Sequence, residues 1–189
     1  MYTSTRSKMN INASKAIIDG IAPDGGLFVK NLEKKFSNDD LVKLSKLSYK
    51  ELAFEIMKLF FNDFKEENLS ALIDKAYTNT FDTKNLVEVK SFDKFAFLEL
   101  YHGNTLAFKD VALSILPHLL DESKKINNQT NSTIILTATS GDTGSAALCG
   151  FSTADSTKMI VLYPTQGVSK IQEKQMLSFY HLVCNKNCI

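Results

Sequence analysis

Two short stretches hold the residue types that could do chemistry. The first is HGNTLAFKD, His102 to Asp110, which sets Lys109 behind the apolar pair Ala107 and Phe108. The pattern predicts that Lys109 sits early in a helix. A cation there meets the positive end of the helix dipole, and apolar neighbours withdraw water. Both effects favour the neutral amine, the form that attacks a carbonyl carbon. The ordinary alternative is a solvated lysine paired with Asp110 or another acid. The second stretch is SGDTG, Ser140 to Gly144. Its glycines permit a tight turn and close approach of a ligand. The helix expected after it leaves N–H groups without partners at the positive end of its dipole, and Ser140 and Thr143 add hydroxyls. That combination suits a phosphate or a carboxylate. The alternative is that Ser140 or Asp142 does no more than cap the helix. The loop lacks the Gly-Lys-Ser/Thr ending of a Walker loop and is not a GxGxxG fingerprint.

Other candidates are weaker. His102 reads either as a ligand-contacting imidazole or as a hydrogen-bonded loop histidine, with the second favoured. His118 lies beside Pro117 in a predicted helix, and Asp24 in PDGG reads as a turn former. His181, Cys184 and Cys188 do not make four ligands at metal spacing, so no metal is expected.

These loops need elements to hold them. The chain opens with an extended arm, a short helix and the PDGG turn, Pro23 to Gly26, followed by a short LFV strand. Leu41, Leu44 and Leu47 recur at helical spacing. Ser48 with Glu51 forms a capping box for the next helix, and a third helix carries Leu69, Leu72, Ile73 and Ala76 on one face. After residue 82 the pattern changes. LVEV and FAFLEL (Phe95–Leu100) read as strands. A helix is expected over about 107–123, interrupted by Pro117. STIILTAT (Ser132–Thr139) reads as a buried strand, AALCGF as the start of a helix, KMIVLYP (Lys158–Pro164) as a strand, and SKIQEKQM as the start of a helix. Strand, polar loop and helix in alternation predict a parallel α/β unit, with both candidate loops opening on one sheet edge. The expected organisation is a mostly helical region 1–81, a partial α/β domain 82–176 and an atypical tail 177–189.

Composition removes several classes. The charge balance is 22 basic residues against 21 acidic, a net +1, without the basic excess that supplies nucleic-acid affinity. No apolar run has the length of a membrane span. The polar N-terminus lacks a signal-peptide pattern, and Cys149, Cys184 and Cys188 make no disulfide framework. A cytoplasmic protein is expected.

The motifs together resemble threonine synthases. The blocks are YTSTR (Tyr2–Arg6), APDGGLFV (Ala22–Val29), LELYHGNTLAFKDVAL (Leu98–Leu113), ATSGDTGSAA (Ala138–Ala147) and YPTQGVSKIQEKQM (Tyr163–Met176), in the family's order and near its spacing. The resemblance implies the fold-type II, tryptophan-synthase-β-like architecture of enzymes that use pyridoxal 5'-phosphate. It implies that Lys109 anchors the cofactor covalently and that Asp142 lies near the cofactor's phenolic oxygen. It also implies that Ser140, Gly141, Thr143 and Gly144 hold the substrate carboxylate. The implied reaction is a carbon–oxygen lyase step in threonine biosynthesis, converting O-phospho-L-homoserine and water to L-threonine and phosphate. Asn104 departs from the family's proline, which loosens the loop before Lys109. The chain is also shorter than the family, so it reads as a fragment with doubtful activity alone. A second reading is a non-catalytic remnant that binds a phosphorylated metabolite, or a partner chain or second copy, through an exposed half-core.

Overall fold

A computed structural model describes residues 1–152, 154 and 156–179 and the backbone of 182–185. The first elements are β1 (Tyr2–Ser4), β2 (Asn10–Ile11), α1 (Ala13–Asp19), β3 (Phe28–Val29), α2 (Asn38–Leu44), α3 (Tyr49–Phe60) and α4 (Glu66–Tyr77). Then come β4 (Glu88–Phe92), β5 (Phe95–Glu99), α5 (Asp110–Leu113) and α6 (Leu116–Ile126). The last are β6 (Thr133–Ala138), α7 (Asp142–Phe151), β7 (Thr157–Tyr163), α8 (Lys170–Leu177) and β8 (Leu182–Asn185). They fold into two compact units, one of residues 1–75 with 119–130 and one of 76–118 with 131 onward.

In the first unit, β1 is the middle strand of a small antiparallel sheet ordered β2-β1-β3. YTSTR and APDGGLFV meet there. Buried Ser4 donates its hydroxyl to Asp24 at 2.8 Å, and Asp24 accepts the Gly26 N–H at 2.8 Å. Asp24 is therefore a turn former. The three helices α2, α3 and α4 follow from local signals. Ser37 with Asp40 and Ser48 with Glu51 form reciprocal capping boxes, each satisfying orphan donors of a first turn. The predicted face of α4, Leu69, Leu72, Ile73 and Ala76, is buried in full. The Leu41–Leu44–Leu47 stripe behaves otherwise: Leu41 is exposed, Leu44 and Leu47 are half-buried, and α2 ends at Leu44.

The second unit is built on a parallel sheet ordered β6-β7-β8. Thr133 to Ala138 pair with Thr157 to Leu162, and Ile160 to Tyr163 pair with Leu182 to Asn185. The middle strand buries Met159, Val161 and Tyr163 against Ala146, Ala147, Leu148 and Phe151 of α7 and Met176 of α8. Close packing is enforced at Gly144, where a Cβ would stand 2.5 Å from Thr139 Cγ2 and 2.9 Å from Met176 Sδ.

Two sequence expectations are corrected. FAFLEL does not join the parallel sheet. As β5 it pairs antiparallel with β4, Val89 opposite Leu98 and Phe92 opposite Phe95. STIILTAT is not buried: as β6 it is an edge strand, with Ile134 and Leu136 each 64% exposed on one face. The helix expected over 107–123 is two helices. The interruption expected at Pro117 is present, falling just ahead of it at Ser114–Ile115, and Pro117 itself lies in the first turn of α6, where a residue needs no N–H.

Candidate functional site

All six candidate residues lie in the second unit. Lys109 is the N-cap of α5, half-buried, with Nζ 4.6 Å from the centre of the Phe108 ring. It makes no ion pair with a described acid. Asp110, its nearest carboxylate in sequence, is 3% exposed and accepts the Thr105 N–H at 2.8 Å and the Thr105 hydroxyl at 2.6 Å. The acid therefore holds the loop rather than neutralising the lysine. Gly103 is required at that turn, since a Cβ there would lie 2.4 Å from Asp110 Oδ2. Leu106, three residues before Lys109, adopts φ +60°. Such a conformation costs a branched side chain about 1–2 kcal/mol, so the loop stores strain beside the lysine.

The second loop is a tight connection from β6 into α7. Gly141, the N-cap, has φ +147° and ψ −97°, a region other residues rarely occupy. Thr139 Oγ1 accepts the N–H groups of both Gly141 and Gly144 at 3.1 Å. Among the described residues, the N–H groups of Ser140, Asp142 and Thr143 donate to no protein acceptor. Three donors at the positive end of a ten-residue helix thus stay open to an anion. Ser140 is exposed and Thr143 half-buried. Asp142 does not cap α7. Its Oδ1 accepts Gln172 Nε2 at 2.6 Å.

The two loops are joined through their helices. α5 packs on α7. A Cβ on Gly150 would meet the Leu113 carbonyl oxygen at 2.1 Å, which shows how closely the backbones cross. Asn104, at the position noted for its departure, is exposed. Burial raises the pKa of the Cys149 thiol of α7, and the Asn104 side chain acts against the rise. The Lys109 loop is thus seated along the second half of α7, while Ser140 to Gly144 form its start.

His102 follows β5 and is a structural histidine. Nδ1 lies 2.7 Å from Asp82 Oδ1 and Nε2 3.1 Å from Glu99 Oε2, with the side chain 10% exposed. Burial lowers its basicity, but hydrogen bonds and attraction from Glu99 and Asp82 outweigh that, so it titrates above the ordinary value. A groove of about 900 Å³ in the first unit, walled by Phe36, Leu44, Leu47, Phe54 and Ile73 among others, includes none of the candidate residues. His181, Cys184 and Cys188 fall outside the described side chains. Sequence reasoning missed Gln172. Its signal was the Ser169-x-x-Gln172 capping box.

A parallel sheet whose strand-to-helix loop ends in unpartnered N–H groups, packed on a lysine-bearing loop, defines part of a fold-type II α/β unit. Comparison with known proteins makes this particular. Residues 1–77 match the family model for the threonine synthase N terminus. Threonine synthase of Saccharomyces cerevisiae is 38% identical, the match covering 93% of this chain and 37% of that protein. The crystal structure of the yeast enzyme superposes with a TM-score of 0.86 at 35% identity, over 97% of this chain and 39% of that one. The PLP-bound threonine synthase of Brucella melitensis does so with 0.84 at 33% identity, over 93% and 38%. The chain is similar to the N-terminal part of these threonine synthases, and it spans under two-fifths of their length.

Proposed function

We propose that this chain carries one wall of a threonine synthase centre, working in the cytoplasm on O-phospho-L-homoserine and water to give L-threonine and phosphate. The observation that supports it most is the pairing of an amine free of described acids, Lys109, with three unpartnered N–H groups at the start of α7. This donor set fits pyridoxal 5'-phosphate and an amino-acid substrate: an amine for a carbonyl carbon and a seat for a carboxylate. The cofactor, when bound, supplies the electron sink that such chemistry needs. Lys109 would hold it through Nζ and would move protons at that atom. Ser140, Gly141, Thr143 and Gly144 would orient the substrate by its carboxylate, and Asp142 would face the cofactor ring. One wall anchors without aligning, and misalignment costs large factors in rate. The chain alone is therefore expected to bind rather than turn over.

The test is borohydride trapping of the chain with pyridoxal 5'-phosphate, followed by peptide mapping. The label is expected on Lys109, and a label mainly on another lysine overturns the assignment. A second reading, a protein that associates with a partner chain or a copy of itself, is favoured by the exposed Ile134 and Leu136 of β6.

A further inference from the structure

The turn before Lys109 closes on a buried carboxylate. The Leu106 N–H donates to the Gly103 carbonyl at 3.0 Å, in a tight turn where Leu106 takes φ +60°. That conformation is unfavourable for a branched side chain, and Leu106 gains little burial from it, being 67% exposed. Something else must hold it. The ends of the segment are pinned from residues 77–82: the Asp82 N–H donates to the His102 carbonyl at 3.0 Å, and the Tyr77 hydroxyl to the Val111 carbonyl at 2.9 Å. Between those ends Thr105 closes the span onto Asp110. Its N–H meets Oδ2 at 2.8 Å and its hydroxyl meets Oδ1 at 2.6 Å, so one residue occupies both oxygens of the other. Thr105 is 7% exposed and Asp110 3%. Bonds to a carboxylate are about twice as strong as neutral ones, and a buried oxygen left without its donor is costly.

We propose that Thr105 is a positioning residue for Lys109: through Asp110 it holds the turn at residues 103–108 in its strained form and so fixes where the Lys109 amine is presented. This rests on the reading of Lys109 given above. Thr105 touches neither substrate nor cofactor in this role. It acts through the residue that follows Lys109 in the chain. Lys109 is the N-cap of α5, and its Nζ lies 4.6 Å from the centre of the Phe108 ring, so the amine travels with the turn. With the clamp broken, Leu106 is free to leave φ +60°, and Phe108 and Lys109 move with it. A reacting group displaced in this way loses rate even where the fold survives.

The experiment times borohydride trapping of pyridoxal 5'-phosphate on the 189-residue chain and reads the label lysine by lysine. The other lysines are the internal reference, and circular dichroism reports whether each variant is folded. Thr105→Val keeps shape and removes the hydroxyl, and is expected to slow labelling of Lys109 about tenfold relative to the other lysines. Thr105→Ser restores the hydroxyl and is expected to stay within about twofold of the parent. Ser48→Ala removes the cap of α3, far along the chain, and so controls for lost stability; its Lys109 label should match the parent's. Should the valine variant not fold, Asp110→Asn carries the test with size kept and charge removed, and a fall of about threefold is expected, since neutral bonds are roughly half as strong. Equal Lys109 labelling in the parent and Thr105→Val overturns the positioning role, as does a fall in Thr105→Ser or Ser48→Ala as large as in Thr105→Val. In those cases the parent still labels Lys109, and the functional reading stands. A parent labelled mainly on another lysine overturns that reading and this role with it.

Discussion

At the scale of single residues, charge placement divides the candidate groups. Asp110 is committed to Thr105 and Asp142 to Gln172, which leaves Lys109 without a described acid. His102 is the opposite case, an imidazole between two carboxylates. Its pKa is raised above 6.5 and that of Glu99 is lowered below 4.5, the latter chiefly by its bond from Tyr101 and then by His102. A raised histidine contributes stability that is complete below its unfolded value and is lost as pH rises through the folded one. A depressed carboxylate contributes above its unfolded value and loses that as pH falls. The cluster is therefore most stabilising in the window between about pH 4.5 and 6.5. Urea midpoints taken at about pH 6 and about pH 8 should fall for the parent, and the fall should be smaller in His102→Gln. An unchanged fall would remove His102 from the titrating groups that matter.

At the scale of elements, the crossing of α5 over α7 sets where the Lys109 loop lies. That crossing depends on Gly150, whose missing side chain admits the Leu113 carbonyl oxygen. Two effects oppose each other in Gly150→Ala. Helix propensity gains about 1 kcal/mol. A methyl group placed 2.1 Å from a backbone oxygen forces the helices apart, and overpacking of this kind costs about 1–3 kcal/mol. The clash is with backbone, which cannot rotate away, so packing should win. A net loss of about 1 kcal/mol is expected in chemical denaturation. A gain in stability would show that α5 is free to shift.

At the scale of the molecule, the second unit leaves large apolar side chains in solvent. Phe92, Phe95 and Phe97 are 76%, 66% and 58% exposed, and the register of β4 and β5 puts them on one face of the ribbon. Exposed strands with apolar faces pair with other chains. Sedimentation velocity over roughly 1–100 µM should show mass rising with concentration. The double change Phe95→Lys and Phe97→Lys should reduce that rise. A parent chain that stays monomeric throughout would count against the association reading.

The sequence by itself determined whatever depends on neighbours three or four residues apart. The buried face of α4, the Ser48–Glu51 box and the turn at Asp24 were legible because their partners are local or are turn chemistry. The same holds for the parallel pairing of β6 with β7, which the strand–loop–helix alternation implies. The glycines of SGDTG also announced a tight loop, and Gly141 at φ +147° requires one. Tertiary structure alone decided the rest. An apolar run such as FAFLEL or STIILTAT reads the same whether it lies in a sheet centre, a ribbon or an edge, because strand partners and face coverage come from distant segments. It also decided that Asp142 faces Gln172, thirty residues on. No spacing rule encodes that contact, which exists only because α7 and α8 pack side by side.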